Sequence, residues 1–287
     1  MNIILGSIIV VVGVLGGYSM EEGRIAALYQ PAELVIIGGA GFGAFLISNP
    51  RRILKKCLLA AGRILRGSQY TKEFYAETLA LLYAILMKIR KEGMIGIEPD
   101  IDAPYNSPIF EKFPKVLADK RTVEFICDYF LIMVSGNMNA YEIENLIDID
   151  LESAAHSANK PVEALTYLAE SLPAFGIVAA VMGVVITMAS IGGPQDELGH
   201  KIAAALVGTF LGILLAYGFL GPASKLLQNI AEDEEQFFTC IKTGIIAHLN
   251  GYPVRMVIEF ARVSISPDIR PASAELDKYV QSFSKKN

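Results

Sequence analysis

The sequence predicts an all-α membrane protein with four transmembrane helices, a large cytoplasmic helical domain between the second and third of them, and a cytoplasmic C-terminal tail. Three observations support this fold class. Hydrophobic residues make up 53% of the chain and the mean hydropathy is +0.42, which is too apolar for an ordinary soluble protein. Charged residues still make up 19%, so a sizeable part must face water. Finally, the sequence shows no alternating strand pattern of any length.

Four stretches reach, or nearly reach, the roughly 20 mostly apolar residues that a bilayer-spanning helix needs. They form two pairs, each joined by a short loop, at residues 3–20, 34–49, 171–190 and 202–222. The predicted organisation follows from these pairs in chain order. It comprises a first membrane pair at 1–49, a cytoplasmic helical domain at 50–170, a second membrane pair at 171–222, and a cytoplasmic helical tail at 223–287.

The distribution of basic residues predicts the orientation of the spans. Six bases and no acid follow the second span directly, at Arg51, Arg52, Lys55, Lys56, Arg63 and Arg66. The loops at 21–33 and 191–201 are acidic by comparison: their bases are Arg24 and Lys201, and their acids are Glu21, Glu22, Glu33, Asp196 and Glu197. We therefore expect the short loops outside and both termini in the cytoplasm.

The aqueous regions read as helical. Apolar residues recur at helical spacing over 71–93, and this segment ends in basic residues followed by Gly93. A pair of helices broken near Gly136 is predicted downstream, and the fourth span can continue into the cytosol as far as Asn250-Gly251. Four prolines, at 99, 104, 108 and 114, indicate an irregular linker.

Small residues form one stripe on each of the last two spans. The third span places five of them on one helix face, at Gly176, Ala180, Gly183, Thr187 and Ser190. The fourth repeats every four residues through Ala204, Gly208, Gly212 and Ala216. Such stripes let helices approach closely in lipid, either within one chain or around a further helix. A stripe on both neighbouring spans favours the second arrangement, in which a further helix is received.

The four predicted spans contain no acid and no histidine, although a proton carrier normally keeps such a group in the membrane. The hydroxyls of Thr187, Thr209 and Tyr217 could line a wet path but could not carry charge near neutral pH. Either the protein moves no ions, or a partner brings the ionisable group.

Other functional classes find little support. None of the three histidines has a metal-ligand spacing, and the sequence contains neither a P-loop nor a G-x-S-x-G motif. The three cysteines are far apart, and the net charge of −5 argues against nucleic acid. We expect no enzymatic activity, no metal site and no cofactor.

Four long segments carry a resemblance to a known family: LYQPAELVIIGGAGFGAF, SLPAFGIVAAVMGVV, VGTFLGILLAYGF followed by Gly221-Pro222, and NGYPVRMVIEFAR. They resemble the flagellar motor stator subunits of the MotA/TolQ/ExbB proton-channel family, and the similarity runs nearly from end to end. Four spans with a large first cytoplasmic region match the stator subunits rather than the three-span ExbB and TolQ group.

The resemblance implies a stator subunit that converts proton flow into torque in the bacterial inner membrane, with the proton as coupling ion. It further implies a ring, thought to contain five copies, around a dimer of a MotB-like peptidoglycan-binding partner. The single membrane helix of that partner carries the essential aspartate, and the rotor contact is the switch-ring protein FliG. The alternative is an ExbB/TolQ-like channel subunit that powers an outer-membrane or secretion process.

The same resemblance implies roles for particular residues. Pro173 and Pro222 would couple protonation of the partner to movement of the cytoplasmic part, although their positions alone predict a helix start and a span end. Ala180 and Thr209 fall on positions that face the partner helix, and Tyr217 is added to this proton-path set. With the resemblance, we expect the partner helix to lie against the face from Gly176 to Ser190.

Charged residues of the cytoplasmic domain are also implicated. In KIRKEGMIGIEPDI, Arg90 and Glu98 fall on the basic and acidic positions that push on the rotor. We expect the neighbouring Lys88 and Lys91 to share this charge. The residues alone would indicate solvated surface charges. Asp150 matches a further acidic position only approximately, because its side chain is shorter than the glutamate usual in the family.

Overall fold

The structure is a computed structural model that describes residues 2–136, 138–189, 192 and 194–284. Within these residues every regular element is a helix, which confirms the predicted fold class. The helices are α1 Asn2–Met20, α2 Ile25–Leu28, α3 Pro31–Ser48, α4 Arg51–Arg66, α5 Lys72–Glu92, α6 Glu98–Asp102, α7 Pro114–Ala118, α8 Lys120–Ser135, α9 Ala140–Met188, α10 Gln195–Leu215, α11 Gly221–Leu249, α12 Val254–Val263 and α13 Ser273–Ser284.

Four helical stretches in the described chain are long and apolar enough to cross a membrane, as predicted: Ile3–Met20, Ile25–Ser48, Ala140–Met188 and Leu198–Leu249. The second begins before the predicted start at residue 34, because α2 and α3 continue the apolar stretch and Pro31 occupies the first turn of α3. Glu33 therefore lies inside this span and not in a loop. By helix extent this candidate span therefore contains a carboxyl group, which the predicted span at 34–49 does not.

The helix ends follow local signals that the sequence displays. Thr71 caps α5 by accepting a hydrogen bond from the Phe74 amide, and Gly93 ends the same helix with a φ of 82°. Gly136 ends α8 in the left-handed region, with a φ of 68°, which confirms the predicted break. The fourth span continues helically through to Leu249, also as predicted, by way of a π-helical turn at Ala216–Leu220.

The chain divides into two compact units. Unit 1 comprises Met1–Gly67 and Ser157–Ala231, and unit 2 comprises Ser68–His156 and Glu232–Asn287, so that α9 and α11 each contribute to both. These contact boundaries differ from the predicted limits at 49, 170 and 222. Because a division by contacts does not locate a membrane surface, the predicted ranges stay predictions about which residues lie in lipid.

Unit 2 has an aromatic core. Its largest fully buried side chains include Tyr75, Phe110, Phe113, Phe130, Phe237 and Phe238. Phe237 stacks on Tyr70 with ring centroids 4.7 Å apart and meets Phe238 edge-on at 5.3 Å. Here the proline-containing linker forms short α-helical and 3₁₀ turns between residues 94 and 118, which confirms the predicted irregular segment.

Candidate functional site

The small-residue stripes of α9 and α10 pack against each other within unit 1. A Cβ atom built on Gly176 would lie 2.9 Å from the Gly208 carbonyl oxygen and 3.2 Å from the Gly212 Cα. One built on Gly183 would lie 2.6 Å from the Ala205 Cβ. Glycine is therefore needed at these positions because the two backbones approach closely.

This packing corrects the prediction that the face from Gly176 to Ser190 receives a partner helix. Gly176 and Gly183 are covered by α10 of the same chain, while Thr187 is 5% exposed and donates its hydroxyl to the Gly183 carbonyl at 2.8 Å. Ser190 lies outside the described residues. Ala180 is half-buried at the margin of this contact.

The uncovered surface of α9 is aliphatic instead. Large apolar side chains between 40% and 70% exposed follow one another along its membrane part, at Ile177, Val178, Val181, Met182, Val184, Val185, Ile186 and Met188. A surface of this composition is suited to lipid or to apolar helices of other chains. If this span contacts a partner helix, the contact therefore uses large apolar side chains beside Ala180.

Pro173 lies in the interior of α9, as does Pro161. The positional interpretation of Pro173 as a helix start is therefore wrong, because the helix begins at Ala140. Proline lacks an amide donor, so each of these residues leaves one carbonyl without its usual helical bond and weakens the helix locally. The neighbouring Leu172 packs against α3, where a Cβ on Gly41 would lie 2.8 Å from its side chain.

Pro222 is likewise inside a helical run and not at its end. It is the second residue of α11 and directly follows the π-helical turn Ala216–Leu220. A proline ring clashes with the carbonyl four residues earlier, and a wider π turn at that place relieves the clash. Tyr217 belongs to this turn and is 70% exposed, whereas Ala216 is buried. Thr209, two turns earlier, is half-buried.

Two hydrogen bonds join α9 to α11 near the start of α11. The Ser224 hydroxyl donates to the Val162 carbonyl at 3.1 Å, and the Thr166 and Ser224 hydroxyl oxygens are 2.7 Å apart. Ser224 is 3% exposed. The sequence analysis did not single out these residues; a hydroxyl residue two positions after Pro222 was the available signal.

Arg90 and Glu98 occupy one corner of unit 2. Arg90 is in the last turn of α5 and Glu98 begins α6, with Gly93 turning the chain between them. Both side chains are exposed, and neither has a hydrogen bond or ion pair to another described residue. Both are therefore available to a partner.

Lys88, which is expected to share the charge of Arg90, has acidic partners within its own chain. Its Nζ atom lies 2.6 Å from the buried Asp100 Oδ2 and 3.8 Å from Glu92 Oε2. The hydrogen bond to Asp100 is the main cause that raises the pKa of Lys88. Asp100 also accepts from the Ser107 hydroxyl at 2.6 Å, so this network fixes the corner that presents Arg90 and Glu98.

Asp150 lies on the part of α9 within unit 2. It is exposed, and its Oδ2 accepts a hydrogen bond from the Tyr129 hydroxyl at 3.0 Å. Together with Glu124 it contributes to the raised pKa of Asp128, for which burial is the main cause. No hydrogen bond or ion pair of the described chain joins Asp150 to Arg90 or Glu98. No group of three or more metal-ligating side chains occurs among the described residues.

The chain is similar to known motility proteins. Residues 4–93 match the family described as motility protein A N-terminal, and residues 119–239 match the MotA/TolQ/ExbB proton channel family. It is 45% identical to motility protein A of Salmonella typhimurium over 287 residues, which cover 100% of this chain and 97% of the relative. The Escherichia coli motility protein A is 45% identical, with 98% and 96% covered. Chemotaxis protein LafT of Vibrio parahaemolyticus is 35% identical, with 96% and 97% covered.

Two solved structures have a similar fold. The C. jejuni MotAB structure aligns with a TM-score of 0.79 at 20% identity and covers 95% of this chain and 98% of that one. The flagellar MotAB stator complex of Bacillus subtilis aligns with a TM-score of 0.74 at 21% identity, covering 96% and 98%.

Proposed function

The chain belongs to the motility protein A family, and from that premise we propose that it is a stator subunit of the bacterial flagellar motor. With a MotB-type partner it forms a proton channel and converts proton flow into torque on the rotor. The observation that carries this proposal is 45% identity to a motility protein A over the entire chain, including all four candidate membrane spans. The role is that of a channel and motor part, not of a catalyst.

The partner is a single-span, peptidoglycan-binding subunit of the MotB type, and the assembly is a ring of five copies around a partner dimer. The apolar surfaces of α1 and α9 support an assembly, because much of both lies uncovered in one chain. On α1 these exposed side chains include Ile4, Leu5, Ile8, Ile9 and Val12. The two similar solved structures are MotAB complexes, which supports this choice of partner.

The chain is a multi-pass membrane protein, and we place it in the bacterial inner membrane with both termini in the cytoplasm. The basic residues of α4, immediately after the second span, support this orientation. In that orientation unit 2 faces the cytoplasm, where its Arg90–Glu98 corner can meet the switch-ring protein FliG.

The proposed mechanism begins with a proton that neutralises the aspartate of the partner at the level of Pro173. The partner helix then changes its contacts with the walls formed by Ala180, Thr209 and Tyr217. Pro173 and Pro222 interrupt hydrogen bonding in α9 and at the start of α11, the two helices that also contribute to unit 2. Each proton supplies about 2.3 kcal/mol per 100 mV of membrane potential for this movement.

An ExbB/TolQ-like subunit for an outer-membrane or secretion process is the second candidate. It is not favoured, since the full-length relatives at 45% and 35% identity are named for motility and chemotaxis. The distinguishing experiment expresses this chain with its partner in a bacterium that lacks its own stator subunits. We expect swimming that an uncoupler abolishes and that external sodium does not change. A speed that follows external sodium would contradict the proton as coupling ion, and no swimming with assembled complex would contradict the stator role.

Pro173→Ala tests the coupling step. Alanine restores the missing amide and stiffens α9, so we expect normal amounts of assembled complex but strongly reduced torque, measured on tethered or bead-loaded motors. Pro161→Ala is the matched control, because it makes the same change in the same helix twelve residues earlier. A Pro173→Ala motor with wild-type torque at high load would remove Pro173 from the mechanism.

A further inference from the structure

A carboxyl group lies buried among the helices of unit 1 that are long and apolar enough to span the membrane. Glu33 stands in the first turn of α3 and is 7% exposed. Its Oε2 atom is buried and has no hydrogen-bond partner among the described residues. Buried polar atoms are nearly always paired, and ionisable residues inside membrane spans commonly mark ion pathways. The unpartnered oxygen therefore needs an explanation.

The carboxyl group reaches the contact between the two small-residue stripes. A Cβ atom built on Gly208 of α10 would lie 2.6 Å from Glu33 Oε2 and 3.1 Å from the Cβ of Ala179 on α9. Gly208 thus leaves the space that the carboxyl oxygen occupies. The close contact of α9 and α10 has a carboxyl group at its side, supplied by α3 of the same chain.

The helices around this carboxyl group offer it no counter-charge. The described residues of α2 and α3 contain no other ionisable group, and neither does α9 from 171 to 188. On α10 the nearest charge along the helix is Lys201, about 10 Å in axial rise from Gly208. Arg24 before α2 is exposed, and the buried Oε2 atom of Glu33 accepts no hydrogen bond from any described residue.

Along α9, the Glu33 carboxyl group lies at a level between the end of the helix at Met188 and Pro173. Ala179 is nine residues before the end of α9, so this level lies roughly 13 Å along the axis from Met188. Pro173 is six residues further in the other direction, or roughly 9 Å. In the proposed orientation, a proton that enters from outside passes the level of Glu33 before it reaches the level of Pro173.

We propose that Glu33 is a proton-binding residue of this chain on the ion path, which receives a proton from the outer side before the carboxylate of the partner does. This inference rests on the proposed function and adds an in-chain site to it. In the first step an O–H bond of hydronium breaks and one forms on the Glu33 carboxylate, leaving water. In the second step that bond breaks as the proton moves to a water molecule or to the carboxylate of the partner, and Glu33 returns to its ionised form.

Glu33→Gln removes the titratable group while keeping nearly the same size and shape. In cells that express the full chain with its single-span partner, we expect proton influx through the channel to fall about tenfold or more. Swimming speed should also lose its dependence on external pH in mildly acid media, which a merely structural role would leave intact. Glu21→Gln is the matched control, because Glu21 is an exposed acid of the same predicted outer loop; it should change neither quantity.

Gly208→Ala provides an independent variant. The added methyl group would occupy the space of Glu33 Oε2 and displace the carboxyl group, so we expect a weaker form of the same flux defect. Gly199→Ala, in the same helix but with no heavy atom within 4 Å of the added carbon, should leave flux unchanged.

The outcomes separate this inference from the proposed function. Reduced flux and an altered pH profile in Glu33→Gln, with normal amounts of complex, support the inference; unchanged flux and profile overturn it while the stator role stands. A wild-type complex that conducts no protons contradicts the proposed function itself.

If Glu33→Gln does not assemble, the inference is tested instead by comparing infrared difference spectra of the purified wild-type and Glu33→Asp complexes. A pH-dependent carboxylic-acid band that changes frequency in Glu33→Asp supports the inference, and the absence of such a change overturns it.

Discussion

Two buried side-chain oxygens in the described part of the chain lack a hydrogen-bond partner, the Glu33 Oε2 and the Tyr75 hydroxyl. Their surroundings give the same observation different meanings. Glu33 carries an ionisable group into a candidate membrane span beside Gly208, and ionisable residues buried in such spans commonly have a function. Tyr75 is 0% exposed in the aromatic core of unit 2, and burial strongly raises the pKa of its hydroxyl. It therefore remains a neutral, unpaired donor.

Tyr75→Phe should leave the stability of the protein unchanged or raise it by about 1 kcal/mol, because it removes a buried group that makes no hydrogen bond. Thermal unfolding of the purified complex measures this effect. Tyr129→Phe is the matched control, since the Tyr129 hydroxyl donates to Asp150 and its loss should destabilise by a similar amount. A marked loss of stability in Tyr75→Phe would indicate a hydroxyl partner that the structure does not contain.

His248 should make the protein less stable in acid. Burial lowers the pKa of this imidazole from its usual value of 6.5, so below that pH the unfolded chain binds more protons than the folded one. Stability therefore falls as pH decreases through the window below 6.5. Thermal unfolding of His248→Gln between neutral pH and pH about 5 should show a smaller loss than the wild type. Asp128→Asn should have the opposite effect on the pH dependence of stability. Because burial raises the pKa of Asp128, this carboxyl group binds a proton more readily in the folded chain, which favours folding in acid.

At the scale of single residues, the sequence predicted which charged side chains are exposed better than it predicted which residues they contact. Arg90 and Glu98 are exposed as expected, because charged side chains in a helical surface pattern stay solvated. The ion pair between Lys88 and Asp100 was not predictable, because the two residues meet through the turn at Gly93. Glu33 was placed in a loop because the apolar stretch was started one residue after it.

At the scale of elements, helix existence and helix ends followed from local chemistry. Thr71, Gly93 and Gly136 act as caps and stops through their own backbone and side-chain preferences. Prolines were the exception. Pro161 and Pro173 are accommodated inside α9, and Pro222 follows a π turn, because packing against other helices can maintain a helix that proline weakens.

Gly212→Ala should destabilise the contact between α9 and α10. A Cβ atom at this position would lie 2.7 Å from the Leu172 carbonyl oxygen and 3.0 Å from the Gly176 Cα, and backbone atoms cannot move aside easily. We expect a loss of about 1–3 kcal/mol and a lower melting temperature of the purified complex. Gly199→Ala gains the same helix propensity without the clash, so it should be neutral or slightly stabilising. Equal melting temperatures for the two variants would contradict the close packing.

At the scale of the whole molecule, unit 1 holds Glu33 and the proline-containing part of α9, whereas unit 2 holds the exposed Arg90–Glu98 corner. The continuous helices α9 and α11 contribute to both units. This division predicts that ion flow and torque delivery can be impaired separately, according to the unit in which a substitution lies.

Glu98→Lys should reduce motility severely while leaving proton influx through the channel unchanged. Under the proposed function the reversed charge would repel the rotor surface that the wild-type carboxylate attracts. Glu98 belongs to unit 2, whereas the residues of the proposed ion path belong to unit 1. Glu111→Lys is the matched control, because Glu111 is also an exposed acid of unit 2. Normal swimming in Glu98→Lys would remove this residue from the rotor contact, and a loss of ion flow would place it in the channel instead.

The sequence by itself determined the helical class, the four spans, the helix caps and the family. Each of these depends on composition, periodicity or motifs within a short stretch of chain. Only the tertiary structure decided what the small-residue stripes contact and that the Glu33 carboxyl group is buried beside them. Periodicity identifies the residues that share a helix face, but it does not identify the surface opposite that face. The stripe from Gly176 to Gly183 meets α10 of its own chain, and Glu33 meets Gly208, because packing brings residues far apart in sequence to one place.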